Sequence, residues 1–167
     1  RDSTGGHDPC LLDVGIGTGN LALPALDRWP HVRVTGIDAS GEMVKAAVAL
    51  AEDRLPPDAL ARLTAVTAFA DTLPFPDGTF DVAMSSFVLQ LVPSRARALR
   101  EIRRVLRPGG SLAYVTWVKD RRVFQPDRIF DALLDEFGFD DAEGDGRSGD
   151  VPSVKTAAGE LRRAGFR

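Results

Sequence analysis

A glycine-rich turn and one aspartate have the types and spacing that most clearly indicate chemistry in this sequence. Gly15, Gly17 and Gly19 follow an apolar segment, and Asp38 ends a second apolar segment 21 positions beyond Gly17. Glycines at a strand-to-helix turn let the backbone approach a ligand closely. An acid at this distance is placed to accept hydrogen bonds from both hydroxyls of a ribose. The pattern predicts a nucleoside-binding βαβ unit.

The glycine spacing also bears on which nucleoside is expected. The pattern is G-x-G-x-G, one residue shorter than the G-x-G-x-x-G of dinucleotide folds, so the ribose is not expected to belong to NAD. Two structural alternatives stay open at this point. The glycines alone could serve any tight turn. Asp38 could instead be an N-cap or first-turn acid for a helix beginning near Gly41, with Ser40 as the cap.

Alternating apolar and helical segments are expected to position this turn. Five near-continuous apolar runs predict strands that are covered on both faces, and three amphipathic segments between them predict helices. This alternation indicates right-handed crossovers and a parallel sheet. The predicted strands are Cys10–Val14, Val32–Ile37, Leu63–Phe69, Phe80–Ser85 and Ser111–Trp117, and the predicted helices are Asn20–Arg28, Gly41–Arg54 and Ser94–Arg107.

The predicted helix Ser94–Arg107 carries six arginines around an apolar stripe, and Pro108-Gly109-Gly110 is expected to stop it. The net charge of the chain is −3, and no aromatic residues lie between these arginines. A solvated outer face is therefore favoured over a nucleic-acid surface. The same net charge argues against binding to an acidic membrane surface.

The sequence after Trp117 is less regular. Phe124–Phe137 has an apolar stripe at helical spacing, and Phe139–Asp150 is rich in glycine and aspartate, which predicts a mobile loop. Ser153 is placed to cap a last helix that Gly165 ends.

The bulk properties predict one domain. The chain has 167 residues, of which 44% are hydrophobic, so a single domain over 1–167 is expected, with a core of 9–118 and a looser region of 119–167. No apolar run approaches membrane-spanning length, and no cleavable signal is visible. A cytoplasmic location without a membrane partner is the expectation.

Two further segments point to a family. The run Leu73-Pro74-Phe75-Pro76-Asp77-Gly78-Thr79-Phe80-Asp81-Val82 is similar to the L-P-F-x-D-x-x-F-D-x-V run before strand four of small-molecule methyltransferases, and Arg104–Leu112 matches their R-x-L-x-P-G-G-x-L. With the glycine turn and Asp38, these motifs make the chain up to Trp117 resemble the class I S-adenosylmethionine-dependent methyltransferases.

The resemblance implies a fold as well as a family. It is a doubly wound, Rossmann-like α/β fold with a mostly parallel sheet of strand order 3-2-1-4-5. The family's strands six and seven find no counterpart in this sequence, so a chain truncated at both ends is the expectation.

The resemblance also implies a cofactor site. S-adenosylmethionine carries no phosphate, so the glycine turn would supply shape, with helix-start amides near the methionine carboxylate. Met43 would lie against the adenosine or, alternatively, in the core. No metal site is predicted. The residues implied to contact the cofactor are Asp13, Gly15, Gly17, Gly19, Asp38, Ala39, Met43, Phe69, Ala70, Asp71, Ser85 and Ser86.

Two positions depart from the family's pattern. Phe69 stands where an aspartate usually meets the adenine amino group. Phe69 could stack on the base, Ala70 could offer its amide, and Asp71 could reach the base in a shifted register; ordinary strand core is the alternative for Phe69. Gln90 lies in a stretch where the family often has histidine. A neutral amide cannot act as a general base, so Gln90 is expected to orient a substrate or to stabilise its loop.

The implied activity is transfer of the sulfonium methyl group to an O, N or C nucleophile of a small molecule, with S-adenosylhomocysteine as the product. Proximity and orientation can supply much of the acceleration, so few catalytic side chains are required. The alternatives are a catalytically silent cofactor-binding or scaffold domain and, less favoured, a nicotinamide-dependent oxidoreductase.

The last predicted strand has an edge that no other predicted strand pairs with. The unpaired edge of Ser111–Trp117 is expected either to self-associate or to be covered by Phe124–Phe137. Trp117, at the end of this strand, is expected either to overlook the ligand crevice or only to pack at its rim.

Overall fold

The computed structural model describes residues 8–119 and 148–167, together with residues 129, 132, 133, 136 and 137. Its elements are β1 (Cys10–Val14), α1 (Ala22–Arg28), β2 (Arg33–Asp38), α2 (Gly41–Arg54), α3 (Pro57–Leu60), β3 (Leu63–Thr67), β4 (Phe80–Ser86), α4 (Arg95–Val105), β5 (Leu106–Val115) and α5 (Val154–Arg163).

The strands form one sheet of order β3-β2-β1-β4-β5, and the pairings between them are parallel. This confirms the predicted fold class and strand order. The chain builds outward from β1 to β3 on one side and then adds β4 and β5 on the other. The loops after β1 and β4 therefore leave in opposite directions and open a crevice at the carboxyl ends of the strands. The glycine turn follows β1 and lies at this crevice.

Apolar side chains cover both faces of the sheet, as the continuous apolar strands predicted. In β1, Leu12 and Val14 join the core cluster that includes Leu99 of α4, whereas Leu11 joins the cluster built with α1 and α2. Successive side chains of a strand point to opposite faces. Asp13 therefore lies on the same face as Leu11, towards α1.

The predicted and observed boundaries agree at both ends of β1 and α2 and differ most at the start of β5. The prediction began this strand at Ser111, but it begins at Leu106, directly after α4. The Pro108-Gly109-Gly110 segment lies inside β5, where Gly109 has φ +83° and the pairing with β4 shifts register between Phe80 and Val82. A bulge of this kind absorbs extra backbone, so the strand continues through a sequence that was interpreted as a helix stop.

Two smaller differences occur on the way to β4. The strand β3 ends at Thr67, two residues before the predicted end at Phe69. The helix α3 was not predicted, and it has only four residues, with Pro57 in its first turn. A helix this short leaves no detectable period in the sequence.

The prediction of a solvated arginine face holds for Arg97 and Arg100, which are exposed, and is wrong for Arg95. Arg95 is 6% exposed, and its Nε lies 2.8 Å from Oε2 of Glu160 in α5. Arg104 forms ion pairs with Glu101 and Asp77. Helical periodicity could not reveal this, because two of these three carboxylates come from other parts of the chain.

The helix α5 begins as predicted. The Oγ atom of Ser153 accepts a hydrogen bond from the amide of Thr156 at 3.1 Å. Just before this cap, Val151 forms a parallel bridge with Val118 beyond the end of β5, and the Val151 amide donates to the Trp117 carbonyl at 3.0 Å. This contact with the chain just beyond β5 was not predicted from the sequence; coverage of the edge by Phe124–Phe137 falls mostly outside the described residues, and self-association stays a prediction.

The predicted helix Phe124–Phe137 and most of the predicted loop Phe139–Asp150 lie outside the described residues, apart from isolated positions. In the described part of the chain, every helix is too short or too polar to cross a membrane.

Candidate functional site

Backbone hydrogen bonds connect the turn between β1 and α1 to the end of β2. The amides of Gly15 and Ile16 both donate to the Ile37 carbonyl, at 2.8 and 2.7 Å. Gly15 and Gly17 have φ values of +79° and +53°, which residues with side chains rarely adopt. A Cβ atom at Gly15 would also collide with the side chain of Val88. The backbone conformation and the close approach of the loop after β4 therefore both require glycine at position 15.

Asp38 joins the loop after β1 to the loop after β2. Its Oδ2 accepts from the Gly17 amide and its Oδ1 from the Ser40 amide, each at 2.9 Å. Ser40 is the N-cap of α2 and accepts from the Met43 amide at 3.3 Å, so Asp38 is not the cap. An ionised carboxylate has about four lone-pair sites. Each oxygen of Asp38 therefore keeps the capacity to accept a further hydrogen bond.

A cavity of about 310 Å³ lies beside Asp38. Its volume is that of a small-molecule site. The loop after β4 contributes Val88, Leu91, Val92 and Pro93 to its lining, none of which was predicted as a site residue. The predicted site residues that line the cavity are Gly15, Asp38, Ala39, Phe69, Ala70 and Asp71.

The segment after β3 supplies one wall of this cavity. Phe69 lies beyond the end of the strand and is 63% exposed, so the alternative of strand core is wrong for this residue. Ala70 is buried. The carboxylate of Asp71 lies 4.0 Å from Nε of Arg97, which already provides it with a cationic neighbour. An exposed ring beside a buried small residue leaves room for a flat ligand.

Asp13 is the most unusual polar group near the turn. It is 1% exposed, and neither carboxylate oxygen has a hydrogen-bond partner among the described residues. Burial raises the pKa of Asp13 from 3.8 to about 7; the nearby Ala22 amide lowers it in part, and the charge of Asp38 raises it further. A buried carboxyl group without a partner carries a large desolvation penalty when it ionises. A cation brought beside Asp13 would remove part of that penalty.

The hydrogen-bonding groups of Ser85 and Gln90 are engaged within the chain. Ser85 is 1% exposed and donates its hydroxyl to the Val14 carbonyl at 2.9 Å. Gln90 is 6% exposed; its Nε2 donates to the Phe87 carbonyl and its Oε1 accepts from Oγ1 of Thr116, each at 2.9 Å. Of the two predicted roles, these bonds favour stabilisation of the loop by Gln90.

Half of the predicted site residues do not line the cavity. Met43 is 45% exposed, so it is not a core methionine, and Ser86 is half-buried at the end of β4. Gly19 lies in the turn, where its amide donates to the Ile16 carbonyl at 2.8 Å. The predicted residues outside the cavity lining are Asp13, Gly17, Gly19, Met43, Ser85 and Ser86.

The cavity wall after β4 is held by a part of the chain that sequence reasoning did not connect with it. The Gly149 amide donates to the Gln90 carbonyl and the Ser148 amide to the Val92 carbonyl, each at 2.8 Å. Arg95 also donates to the Gly149 carbonyl at 2.7 Å. No local pattern signals contacts between positions so far apart. No group of His, Cys, Asp and Glu residues that could hold a metal ion occurs within the described ranges.

Comparison with known proteins decides the family. The model of the family described as "Methyltransferase domain" matches residues 12–114. The chain belongs to this family. It is 36% identical over 115 residues to a ubiquinone/menaquinone biosynthesis C-methyltransferase of Geotalea daltonii, covering 68% of this chain and 47% of that protein. It is also 40% identical over 104 residues to a malonyl-[acyl-carrier protein] O-methyltransferase of Geobacter sulfurreducens, covering 62% of this chain and 37% of that protein.

Solved structures agree on the fold. The crystal structure of the [4+2]-cyclase SpnF superposes with a TM-score of 0.72 at 31% identity, covering 95% of this chain and 51% of that one. A methyltransferase from Aquifex aeolicus shares the fold, with a TM-score of 0.69 at 24% identity, covering 96% of this chain and 73% of that one. The chain spans less than half the length of the curated relatives named above.

Proposed function

We propose that this methyltransferase domain binds S-adenosylmethionine at the carboxyl ends of β1, β2 and β4, and that the protein transfers the methyl group to a small-molecule nucleophile. One observation carries the proposal. Asp38 lies at the 310 Å³ cavity with both carboxylate oxygens oriented by backbone amides, which leaves a fixed acceptor pair for a ribose diol. Family membership and the glycine turn support the same conclusion.

The residues present fit the parts of this cofactor. Phe69 and Ala70 would border the adenine, Asp38 would accept from the ribose hydroxyls, and Gly15 and Gly17 would let the methionine part approach the turn. The fit rests most on Asp13, whose buried carboxylate lacks a partner in the described structure. The α-ammonium group of the cofactor has the charge that this carboxylate requires.

The chain's own contribution to the reaction is orientation. When bound, S-adenosylmethionine supplies an electrophilic sulfonium methyl group. The loop after β4 offers no evident base, because residues 87–93 include no titratable side chain and the Gln90 amide is neutral and bonded within the chain. This loop would shape the space that the acceptor enters, and proximity would supply much of the acceleration. The relatives named above are C- and O-methyltransferases, which supports a carbon or oxygen nucleophile here.

A second candidate is a cofactor-binding domain with another reaction, or none. The observation that favours it is the similarity to a structure titled as a [4+2]-cyclase, at 31% identity over 95% of this chain. The departures at Phe69 and Gln90 point the same way. A nicotinamide oxidoreductase has less support, because the glycine spacing is shorter than dinucleotide folds use.

Two measurements test these candidates in turn. Calorimetric titration with S-adenosylmethionine, S-adenosylhomocysteine and NAD is expected to show clear preference for the first two. Transfer of a labelled methyl group to a panel of phenols, quinols, amines and carboxylic acids then separates a methyltransferase from a silent domain. Tighter binding of NAD would reject the cofactor assignment, and cofactor binding without transfer to any member of the panel would favour the second candidate.

A further inference from the structure

Two aromatic rings are exposed at the carboxyl ends of β4 and β5. Phe87 directly follows β4, and Trp117 follows β5 by two residues. Their ring centroids are 4.8 Å apart with an interplanar angle of 32°. The residues remain 39% and 59% exposed, so each has surface that the other does not cover. Rings at this separation and angle are stacked on each other rather than side by side, so a flat apolar ligand can stack on the outer face of one of them.

The backbone under Phe87 is strained. Among the described residues, Phe87 is the only non-glycine residue with a positive φ, at +55°. For a bulky side chain this conformation is unfavourable and persists only where neighbouring contacts determine it. Here the Phe87 amide donates to the Val115 carbonyl at 2.9 Å, and the Phe87 carbonyl accepts from Gln90. Strain of this kind is concentrated at functional sites.

The buried amide of Gln90 links the two strand ends that carry the rings. It binds the Phe87 carbonyl at one end and the hydroxyl of Thr116, the residue before Trp117, at the other. An apolar side chain of the same size would bury no polar group of its own, but it would leave the Phe87 carbonyl and the Thr116 hydroxyl without these partners. The two hydrogen bonds tie the backbone of Phe87 to the residue that precedes Trp117.

Phe87 is next in the chain to a residue that lines the proposed cofactor cavity. Val88, the residue after Phe87, approaches Gly15 closely and lines the cavity together with Leu91. Neither ring lines the cavity, so a ligand stacked on Trp117 would bind outside the cavity, on the side of the loop after β4. That is the position which a methyl acceptor must take relative to a bound donor.

We infer that the stacked pair of Phe87 and Trp117, called the platform below, presents the outer face of Trp117 to the flat face of an aromatic methyl acceptor, and that Gln90 is the positioning residue that holds the platform. This inference rests on the proposed function for the identity of the donor. It adds the chemical class of the acceptor, an aromatic ring, and the residues that select it.

The platform is tested with a planar ligand and its saturated counterpart. 2-Naphthol and trans-decahydro-2-naphthol share a carbon skeleton, but only the first is aromatic. Their affinities are measured by ligand line broadening in NMR, with and without saturating S-adenosylhomocysteine. We expect 2-naphthol to bind about threefold to tenfold more tightly than the saturated alcohol, which is the range for one aromatic stacking contact. Equal affinities would overturn the inference.

A matched pair of variants locates the binding. The chain has two tryptophans, and Trp29 is 51% exposed, much like Trp117. Trp117→Leu is expected to reduce 2-naphthol affinity about threefold to tenfold, while Trp29→Leu leaves it unchanged. Equal effects of the two substitutions would contradict the platform. A dimer in sedimentation that Trp117→Leu dissociates would show instead that a second copy of the chain covers the rings.

The role of Gln90 has a spectroscopic readout. In a Trp29→Phe background the near-ultraviolet circular dichroism of tryptophan reports on Trp117 alone. Gln90→Leu is expected to weaken this signal and the affinity for 2-naphthol while leaving the affinity for S-adenosylhomocysteine unchanged. Thr116→Val, which removes only one of the two hydrogen bonds, is the milder substitute if Gln90→Leu does not fold. An unchanged Trp117 signal in the folded variant would remove Gln90 from the inference.

The two proposals can fail separately. If the wild-type protein does not bind S-adenosylhomocysteine, the proposed function is refuted. The 2-naphthol measurement made without that ligand would still test the platform. Binding of S-adenosylhomocysteine without preference for the aromatic alcohol would refute only the platform.

Discussion

The two sides of the proposed cofactor cavity are built in different ways. The side next to β1 and β2 is held mainly by backbone hydrogen bonds over a short stretch of sequence, and its carboxylate Asp38 is oriented by the amides of Gly17 and Ser40. The side next to β4 depends on long-range contacts, since Gly149 and Ser148 hold Gln90 and Val92 through backbone bonds. The first side is built by residues that are close in the sequence, whereas the second brings together residues more than 50 positions apart.

The long-range side is completed by one ion pair. Arg95 starts α4 just beyond the cavity wall, donates to the Gly149 carbonyl and pairs with Glu160 of α5. The side chains of Arg95 and Glu160 are 7% and 18% exposed. A pair this deeply buried is weak evidence for a net gain in stability, but removal of one partner leaves an uncompensated buried charge.

The largest expected effect comes from breaking that pair. Glu160→Ala is expected to lower the free energy of unfolding by about 3 kcal/mol, since Arg95 is then buried without its partner. Glu42→Ala is the matched control, because Glu42 pairs with Lys45 in an exposed position and should cost less than about 1 kcal/mol. Urea unfolding measures both. If both substitutions lower the free energy of unfolding by the same amount, the pair of Arg95 and Glu160 stabilises the fold no more than an exposed ion pair does.

The next effect concerns the local side of the cavity. Asp38→Ala is expected to weaken S-adenosylmethionine binding by about 1.5–3 kcal/mol, which is about tenfold to 150-fold, because a charged hydrogen-bond partner is lost. Asp38→Asn keeps one oxygen acceptor and should lie between the alanine variant and the wild type. Calorimetry measures the affinities. An unchanged affinity in the folded alanine variant would reject the assignment of Asp38 to the ribose.

The pH dependence of binding tests Asp13. Its folded-state pKa is raised to about 7 from 3.8, so protonation favours the folded protein, and this stabilisation is lost as pH rises from about 4 to about 7. A cation beside Asp13 favours the ionised form. Affinity for S-adenosylmethionine should therefore rise by up to about tenfold from pH 6 as Asp13 ionises, and fall again above about pH 8, where the α-ammonium group of the cofactor loses its proton. Asp13→Asn is expected to abolish the rise from pH 6, whereas a wild-type profile without that rise would place Asp13 outside the binding event.

The smallest effect is expected at the adenine wall. Phe69→Ala should weaken cofactor binding about twofold to tenfold, the range for a single aromatic contact. Asp71→Asn should have no effect, because the carboxylate of Asp71 lies near Arg97, unless the register of this segment shifts so that Asp71 reaches the base. If neither substitution changes the affinity while the fold persists, the base lies elsewhere.

The comparison of the two sides also shows what the sequence could predict. The strand order, the boundaries of β1 and α2, and the glycine turn with Asp38 all follow from local patterns, and the structure confirms the order and those boundaries. The start of β5 could not be predicted, because the bulge opposite β4 depends on strand pairing. The surroundings of Arg95 were equally hidden, since its partner Glu160 lies 65 positions away.

The site residues divide in the same way. Phe69, Ala70 and Asp71 were predicted from a motif position, and they line the cavity with Asp38. Val88 and Leu91 were not predicted, because an apolar run after a strand is equally typical of a buried core. Their place at the cavity depends on the contact of Val88 with Gly15 and on the hydrogen bonds to 148–149.

A crystal structure of the protein with S-adenosylhomocysteine tests the central claim most directly. The account predicts the ribose hydroxyls within hydrogen-bond distance of both Asp38 oxygens, the adenine beside Phe69 and Ala70, and the amino group facing Asp13. Electron density for the ligand at another surface, or a ribose that does not contact Asp38, would contradict it.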